Sequence, residues 1–131
     1  MKKLVLFIVV SVSFLLMAVD VPAQTKTRVK FPPKTHGITV KGTCRGYAYR
    51  DYLMGVSAGQ MIDISLDASE PATVFSIVTP EGGDLLEASE TKSYHGTLIT
   101  SGDYRVRVMM MRSAARRRGS VSNYSLKISI K

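Results

Sequence analysis

The sequence predicts an all-β protein: a single antiparallel β-sandwich of about eight short strands behind a cleaved N-terminal export signal. Three observations carry this. Apolar residues recur at every second position in separate stretches, most plainly Ile62, Ile64 and Leu66 against Asp63, Ser65 and Asp67. Turns rich in Gly and Pro divide those stretches, at Ala58-Gly59-Gln60, at Pro80-Glu81-Gly82-Gly83 and at Ser101-Gly102. The chain that follows the export signal is the right length for one domain with one modest core.

The first element is the signal. Lys2 and Lys3 precede an apolar run from Leu4 to Met17, and Val21-Pro22-Ala23 offers small residues for cleavage after Ala23. The run is short for a membrane span, so stable membrane insertion is not expected; a retained N-terminal anchor is the alternative reading. Domain boundaries follow at 1–23 for the signal and 24–131 for the sandwich. Thr25 to Lys34 is polar and basic with Pro32-Pro33, which suits an edge strand or an arm. Ile38 to Cys44 alternates Ile38 and Val40 against Thr39 and Lys41. Gly46 to Ser57, with Tyr47, Tyr49 and Tyr52, reads as the next strand after a bend.

Met61 to Ala68 follows as a half-buried strand, and Ser69 to Ala72 as a connection marked by Pro71. Val74 to Val78 is a mostly apolar strand, and Leu85 to Glu87 has the length of a further short one. Tyr94 to Ile99 leads to the Ser101-Gly102 turn. Tyr104, Val106, Val108 and Met110 then alternate with Arg105, Arg107 and Met109. Ser113 to Gly119 reads as a loop or one helical turn, since Ala114 and Ala115 favour a turn that Gly119 stops. Tyr124, Leu126, Ile128 and Ile130 close the chain in a last alternating strand.

Cleavage after Ala23 removes Lys2, Lys3 and Asp20. It leaves 108 residues with 16 basic and 9 acidic side chains, a net charge of +7. Such a surface suits an anionic polymer, anionic lipid or an acidic protein cleft, and export argues against nucleic acid. Cys44 is the single cysteine, so no internal disulfide forms. Facing inward it is a small buried hydrophobe; facing outward it could bridge two chains. One thiol and two histidines make a poor metal site, and no cofactor motif is present.

The sequence contains no catalytic motif: no Gly-x-Ser-x-Gly elbow, no His-Glu-x-x-His and no phosphate-binding glycine loop. His36 and His95 have no motif partner, and a small hydrolase using His95 is the weakest of the readings. The segment Ser101 to Arg118 is the more informative one. A tight Ser-Gly turn feeds a strand that ends in Arg112, Arg116, Arg117 and Arg118. If Arg112 and Arg116 stand one helical turn apart, they share a face and can grip carboxylates with paired hydrogen bonds. A solvated basic loop is the bland alternative.

Ser101-Gly102-Asp103-Tyr104-Arg105-Val106-Arg107-Val108, followed by Met110-Met111-Arg112-Ser113-Ala114-Ala115-Arg116-Arg117, resembles the periplasmic inhibitors of invertebrate-type lysozyme. It is also similar to the inhibitors of goose-type lysozyme. The likeness extends to Gly46-Tyr47-Ala48-Tyr49-Arg50-Asp51-Tyr52, Ala58-Gly59-Gln60 and Asn123-Tyr124-Ser125-Leu126. The resemblance implies a periplasmic, non-enzymatic β-sandwich whose partner is a lysozyme, blocking its cleft with a Ser-Gly-x-Tyr loop and an arginine-rich loop acting as one surface, and so protecting peptidoglycan.

In the invertebrate-type group a Ser-Gly-x-Tyr loop enters the enzyme's cleft, which corresponds to Ser101, Gly102 and Tyr104. In the goose-type group a tyrosine and two arginines four apart bind the enzyme, which corresponds to Tyr47, or Tyr49 in its place, with Arg112 and Arg116. Arg107 and Arg117 are secondary candidates. The Met-Met-Arg-Ser-Ala-Ala-Arg-Arg run leans toward the invertebrate-type group. The alternative function is a non-catalytic envelope- or carbohydrate-binding module. Exposed edge strands permit a homodimer.

Overall fold

In a computed structural model, residues 25–31 and 36–131 are described; the expected signal segment 1–23 lies outside them. Two four-stranded sheets pack face to face. The first has the order β1 (Thr25–Arg28), β3 (Arg50–Val56), β7 (Gly102–Met110), β5 (Thr73–Val78). The second has the order β2 (Gly37–Arg45), β8 (Val121–Ile130), β4 (Met61–Ala68), β6 (Ser93–Thr97). Pairing is antiparallel except at one edge, where β1 runs parallel to β3 with Thr25 opposite Arg50. Of the segment expected as an edge strand or an arm, Thr25–Arg28 is a short parallel edge strand, and residues 32–34 lie outside those described.

Strict alternation builds the core. On β4, Ile62 and Ile64 are fully buried, while Asp63, Ser65 and Asp67 face solvent. On β7, Tyr104, Val106, Val108 and Met110 turn inward, and the residues between them are only partly covered or exposed. Phe75 and Ile77 of β5 meet this set beside Met54, Leu126 and Ile128 in one cluster spanning both sheets. Each such side chain contributes roughly 1.5–3 kcal/mol by leaving water. All six residues of β5 are buried, so this strand shows no alternation. Its free edge is closed by the returning chain: Phe75 exchanges backbone hydrogen bonds with Thr91, at 2.8 and 2.9 Å.

Two segments depart from the sequence expectation. The strand expected from Gly46 begins only at Arg50, because Gly46 at φ +55° and Tyr47 form a turn. Leu85 to Glu87 is not a strand either. A single 3₁₀ turn covers Leu86–Ala88 and inserts Ala88 into the core. One helical turn, α1 (Arg112–Ala115), lies between β7 and β8 as one of the two expected forms of that segment.

β7 (Gly102–Met110) separates the two groups of candidate residues at its ends. Its eight steps of about 3.3 Å span roughly 26 Å from Gly102 to Met110, which puts the Ser101-Gly102 turn and Arg112 at opposite ends of the sandwich.

Candidate protein-binding surfaces at the two ends of the sandwich

At the arginine end, α1 is pinned by its two alanines. Ala114 and Ala115 are buried, and Arg112 and Ser113 are exposed. The Arg116 amide donates to the Arg112 carbonyl at 3.0 Å, so the two arginines stand one turn apart as the spacing suggested. Both are exposed, and neither forms an ion pair among the described residues. Arg117 reaches back to Glu70 at 3.3 Å. That contact draws it away from its neighbours and fastens the loop to the β4–β5 connection.

Tyr47 joins this end. The turn that carries it is tied to the loop after α1 by the Gly46 amide, which donates to the Ser120 carbonyl at 3.1 Å. The Ala48 amide closes the turn on the Arg45 carbonyl at 3.0 Å. Gly46 has a left-handed backbone that favours glycine. The result leaves Tyr47 62% exposed at the tip. Tyr47, Arg112 and Arg116 are therefore brought to one end of the molecule on two short connections that hold each other.

Tyr49, Arg107 and Asp51 form a compact group behind the turn. Arg107 grips Asp51 with two hydrogen bonds, from Nε at 2.8 Å and from its terminal nitrogen at 3.1 Å. The Asp51 side chain is 1% exposed. The Tyr49 ring stacks on the guanidinium, 4.2 Å from its centre. Hydrogen bonding to Asp51 raises the Arg107 pKa above its usual value. Arg107, a secondary binding candidate by sequence, is thus engaged within the protein. Sequence reasoning missed Asp51. The signal was present as an acidic residue among tyrosines, but its partner follows only from the register that sets Asp51 opposite Arg107.

The opposite end carries Ser101, Gly102 and Tyr104. Ser101 is exposed, and its Oγ accepts a hydrogen bond from the Ala58 amide at 2.8 Å, joining its loop to the Ala58-Gly59 turn. Gly102, at φ +144°, lies so near Pro80 that a Cβ would fall 2.8 Å from the proline ring. Tyr104 is buried, 3% exposed, and its hydroxyl donates to the Thr100 carbonyl at 2.8 Å. It props the loop from inside. A groove of about 480 Å³ adjoins, lined by Glu81, Glu87, Leu85, Tyr94 and Ile99 among others. Burial, then the Glu87 charge, raises the Tyr94 pKa.

Charge is unevenly spread between these ends, although Glu70 pairs with Arg117 at the arginine end and Arg28 with Asp103 at the other. From Asp51 to Thr91 the chain holds eight acidic residues and no lysine or arginine. Glu81, Asp84 and Glu87 follow β5 toward the Ser101 end, whereas Arg112, Arg116, Arg117 and Arg118 follow β7 at the other.

Two remaining sequence candidates are placed elsewhere. Cys44 is 1% exposed, with its thiol donating to the Val108 carbonyl at 3.6 Å. It takes the buried-hydrophobe form. Burial pushes the thiol up to about 11. His95 sits across from Asp63 on β6 and β4, with Nδ1 3.7 Å from the carboxylate and both side chains exposed. Among the described residues, no group of three or more His, Cys, Asp or Glu side chains could hold a metal ion.

No protein-family model and no curated protein matches the chain by sequence. Solved structures do match. Aeromonas hydrophila PliG, a periplasmic inhibitor of g-type (goose-type) lysozyme, is 25% identical with a TM-score of 0.71, over 82% of this chain and 98% of that one. Salmonella Typhimurium PliG, also a periplasmic inhibitor of g-type lysozyme, is 25% identical with a TM-score of 0.65, over 83% of this chain and 100% of that one. A mutant of the Escherichia coli PliG shares the fold at 22% identity with a TM-score of 0.63, over 83% and 100% of the two chains. The chain thus resembles the periplasmic lysozyme inhibitors over most of its length. These three neighbours belong to the goose-type group, not to the invertebrate-type group toward which the arginine run leaned.

Proposed function

We propose that this chain is an exported, non-catalytic inhibitor of goose-type lysozyme that acts through its arginine end. One observation carries the reading: Tyr47, Arg112 and Arg116 converge, exposed, at one end of a sandwich shared with inhibitors of that enzyme class. Glycoside hydrolases work with carboxyl groups in a cleft. Two guanidinium groups one turn apart can each make paired, charge-assisted hydrogen bonds to such carboxylates. Tyr47 adds a large apolar face with a polar tip, a combination that serves well at interfaces. Because both connections are fixed to rigid strands, docking costs little ordering entropy. Occupying the cleft would keep peptidoglycan out of it.

A second reading places the contact at the Ser101 end and the target in the invertebrate-type class. It is favoured by the Ser101 hydroxyl, which accepts from Ala58 yet keeps its own proton free to donate to a carboxyl group. Titration of goose-, invertebrate- and chicken-type lysozymes with the purified mature chain tests both. Selective, near-stoichiometric loss of goose-type lysis supports the first reading, and selective loss of invertebrate-type lysis the second. Full lysis by all three refutes both and moves the assignment to a module that binds envelope polymer.

A further inference from the structure

We propose that Arg107 and Asp51 are positioning residues: the ion pair, buried on its Asp51 side, holds the Tyr49 ring, and the Tyr49 ring holds the turn that presents Tyr47. This deepens the reading of the arginine end and rests on it for the inhibition measurements alone. The geometry runs in one line. Asp51, with its side chain 1% exposed, has both oxygens occupied by Arg107. That fixes the guanidinium plane, which serves as a platform for Tyr49 at 4.2 Å. Tyr49 is half-buried and lies two residues from Tyr47, across a turn closed by one backbone hydrogen bond from Ala48 to Arg45.

Without the platform, the segment from Tyr47 to Tyr49 would keep the Gly46 bond to Ser120, the Ala48 bond to Arg45 and the pairing of Arg50 with Val108, but would lose the side-chain contact that braces Tyr49 between them. A residue 62% exposed at the tip of so short a connection makes few contacts that could hold its ring. Its direction depends on the backbone beneath it. Lysine in place of Arg107 would keep the charge but lose both the fork and the flat face.

Inhibition of goose-type lysozyme and amide hydrogen exchange at Gly46 and Ala48 should be measured together. The variants are Asp51→Asn, Arg107→Lys, Tyr49→Phe, Tyr49→Leu, and Asp51→Asn combined with Arg107→Lys. The expected result is inhibition weakened on the order of tenfold by Asp51→Asn, Arg107→Lys or Tyr49→Leu, the scale of losing one pre-ordered side chain. The double variant should be no worse than the weaker single, since both break one unit. Tyr49→Phe should retain full inhibition, and exchange at Ala48 should quicken in each weakened variant.

If Arg107→Lys weakens inhibition while Asp51→Asn leaves it unchanged or improves it, Arg107 touches the enzyme directly and the proposal is overturned. Unchanged exchange at Ala48 in all variants overturns it equally. Should loss of the ion pair unfold the domain, Tyr49→Leu, which leaves that pair in place, carries the test. The exchange arm stands even if the native chain inhibits no lysozyme, so the two readings fail separately.

Discussion

The hydroxyls of Tyr52 and Tyr124 are hydrogen-bonded to each other in the interior, and their rings meet edge to face with centroids 6.4 Å apart. Tyr52 belongs to β3 and Tyr124 to β8, so the bond joins one sheet to the other. Gly42 on β2 leaves the space for it, because a Cβ there would collide with the Tyr124 hydroxyl and ring. Tyr124→Phe should cost about 1–3 kcal/mol in urea denaturation by stranding the Tyr52 hydroxyl. Adding Tyr52→Phe should recover part of that loss. Gly42→Ala should lower stability with no polar group removed. A Tyr124→Phe single variant as stable as the native chain would contradict the account.

Alkaline stability should fall between about pH 9 and 11. The Cys44 thiol is raised from its ordinary 9.0 to about 11 by burial, and Tyr124 is raised in the same direction, first by burial and then by its bond to Tyr52. A raised pKa means that the fold favours the protonated form. That stabilisation is complete below the unfolded value and disappears as pH climbs through the folded one. Cys44→Ala should flatten the decline. A thiol reagent at pH 8 should modify the native chain far more slowly than the urea-unfolded chain; equal rates would place Cys44 outside the core.

Arg112→Ala with Arg116→Ala should abolish inhibition without moving the thermal midpoint. Both side chains are exposed, so little folding energy is at stake. Each charge-assisted pair contributes about 1.5–3 kcal/mol to binding, so each arginine should account for at least about tenfold in affinity. Isothermal titration against goose-type lysozyme checks this, with a melting curve as the control.

Ser101→Ala should leave inhibition of goose-type lysozyme intact, because that residue lies at the far end of β7 from Tyr47 and the arginines. Gly102→Ala should instead destabilise the fold, since the new methyl would press on Pro80 in a strained backbone. Loss of goose-type inhibition in a stable Ser101→Ala protein would show that the two ends act together.

Most of the sandwich was legible in the sequence wherever one face of a strand is wet. Ile62, Ile64 and Leu66 announce β4 because Asp63, Ser65 and Asp67 had to face water. Tyrosines misled at Tyr47 and Tyr49: aromatic residues favour strands, but Gly46 turns the chain first, and the rings serve a tip and a stack. The parallel pairing of β1 has no local signature, because it depends on which edge of the sheet is vacant. The candidate site was half legible. Arg112 and Arg116 follow from spacing, and Tyr47 reaches them through a contact between connections far apart in sequence. Ser101 stands only eleven positions before Arg112, which suggested one surface. An extended strand turns that short interval into the length of the molecule.

Glu81, Asp84 and Glu87 toward one end of β7 and the arginine cluster at the other make an uneven charge distribution, and such a distribution acts before any contact is made. A mature chain of net charge +7, carrying Glu81, Asp84 and Glu87 toward one end and an arginine cluster at the other, does not present all orientations equally to an approaching partner. An acidic cleft would draw the arginine end forward during diffusion, raising the fraction of productive encounters. The association rate should therefore respond steeply to ionic strength, with the dissociation rate much less affected, because added salt shortens the range over which the field aligns the two proteins.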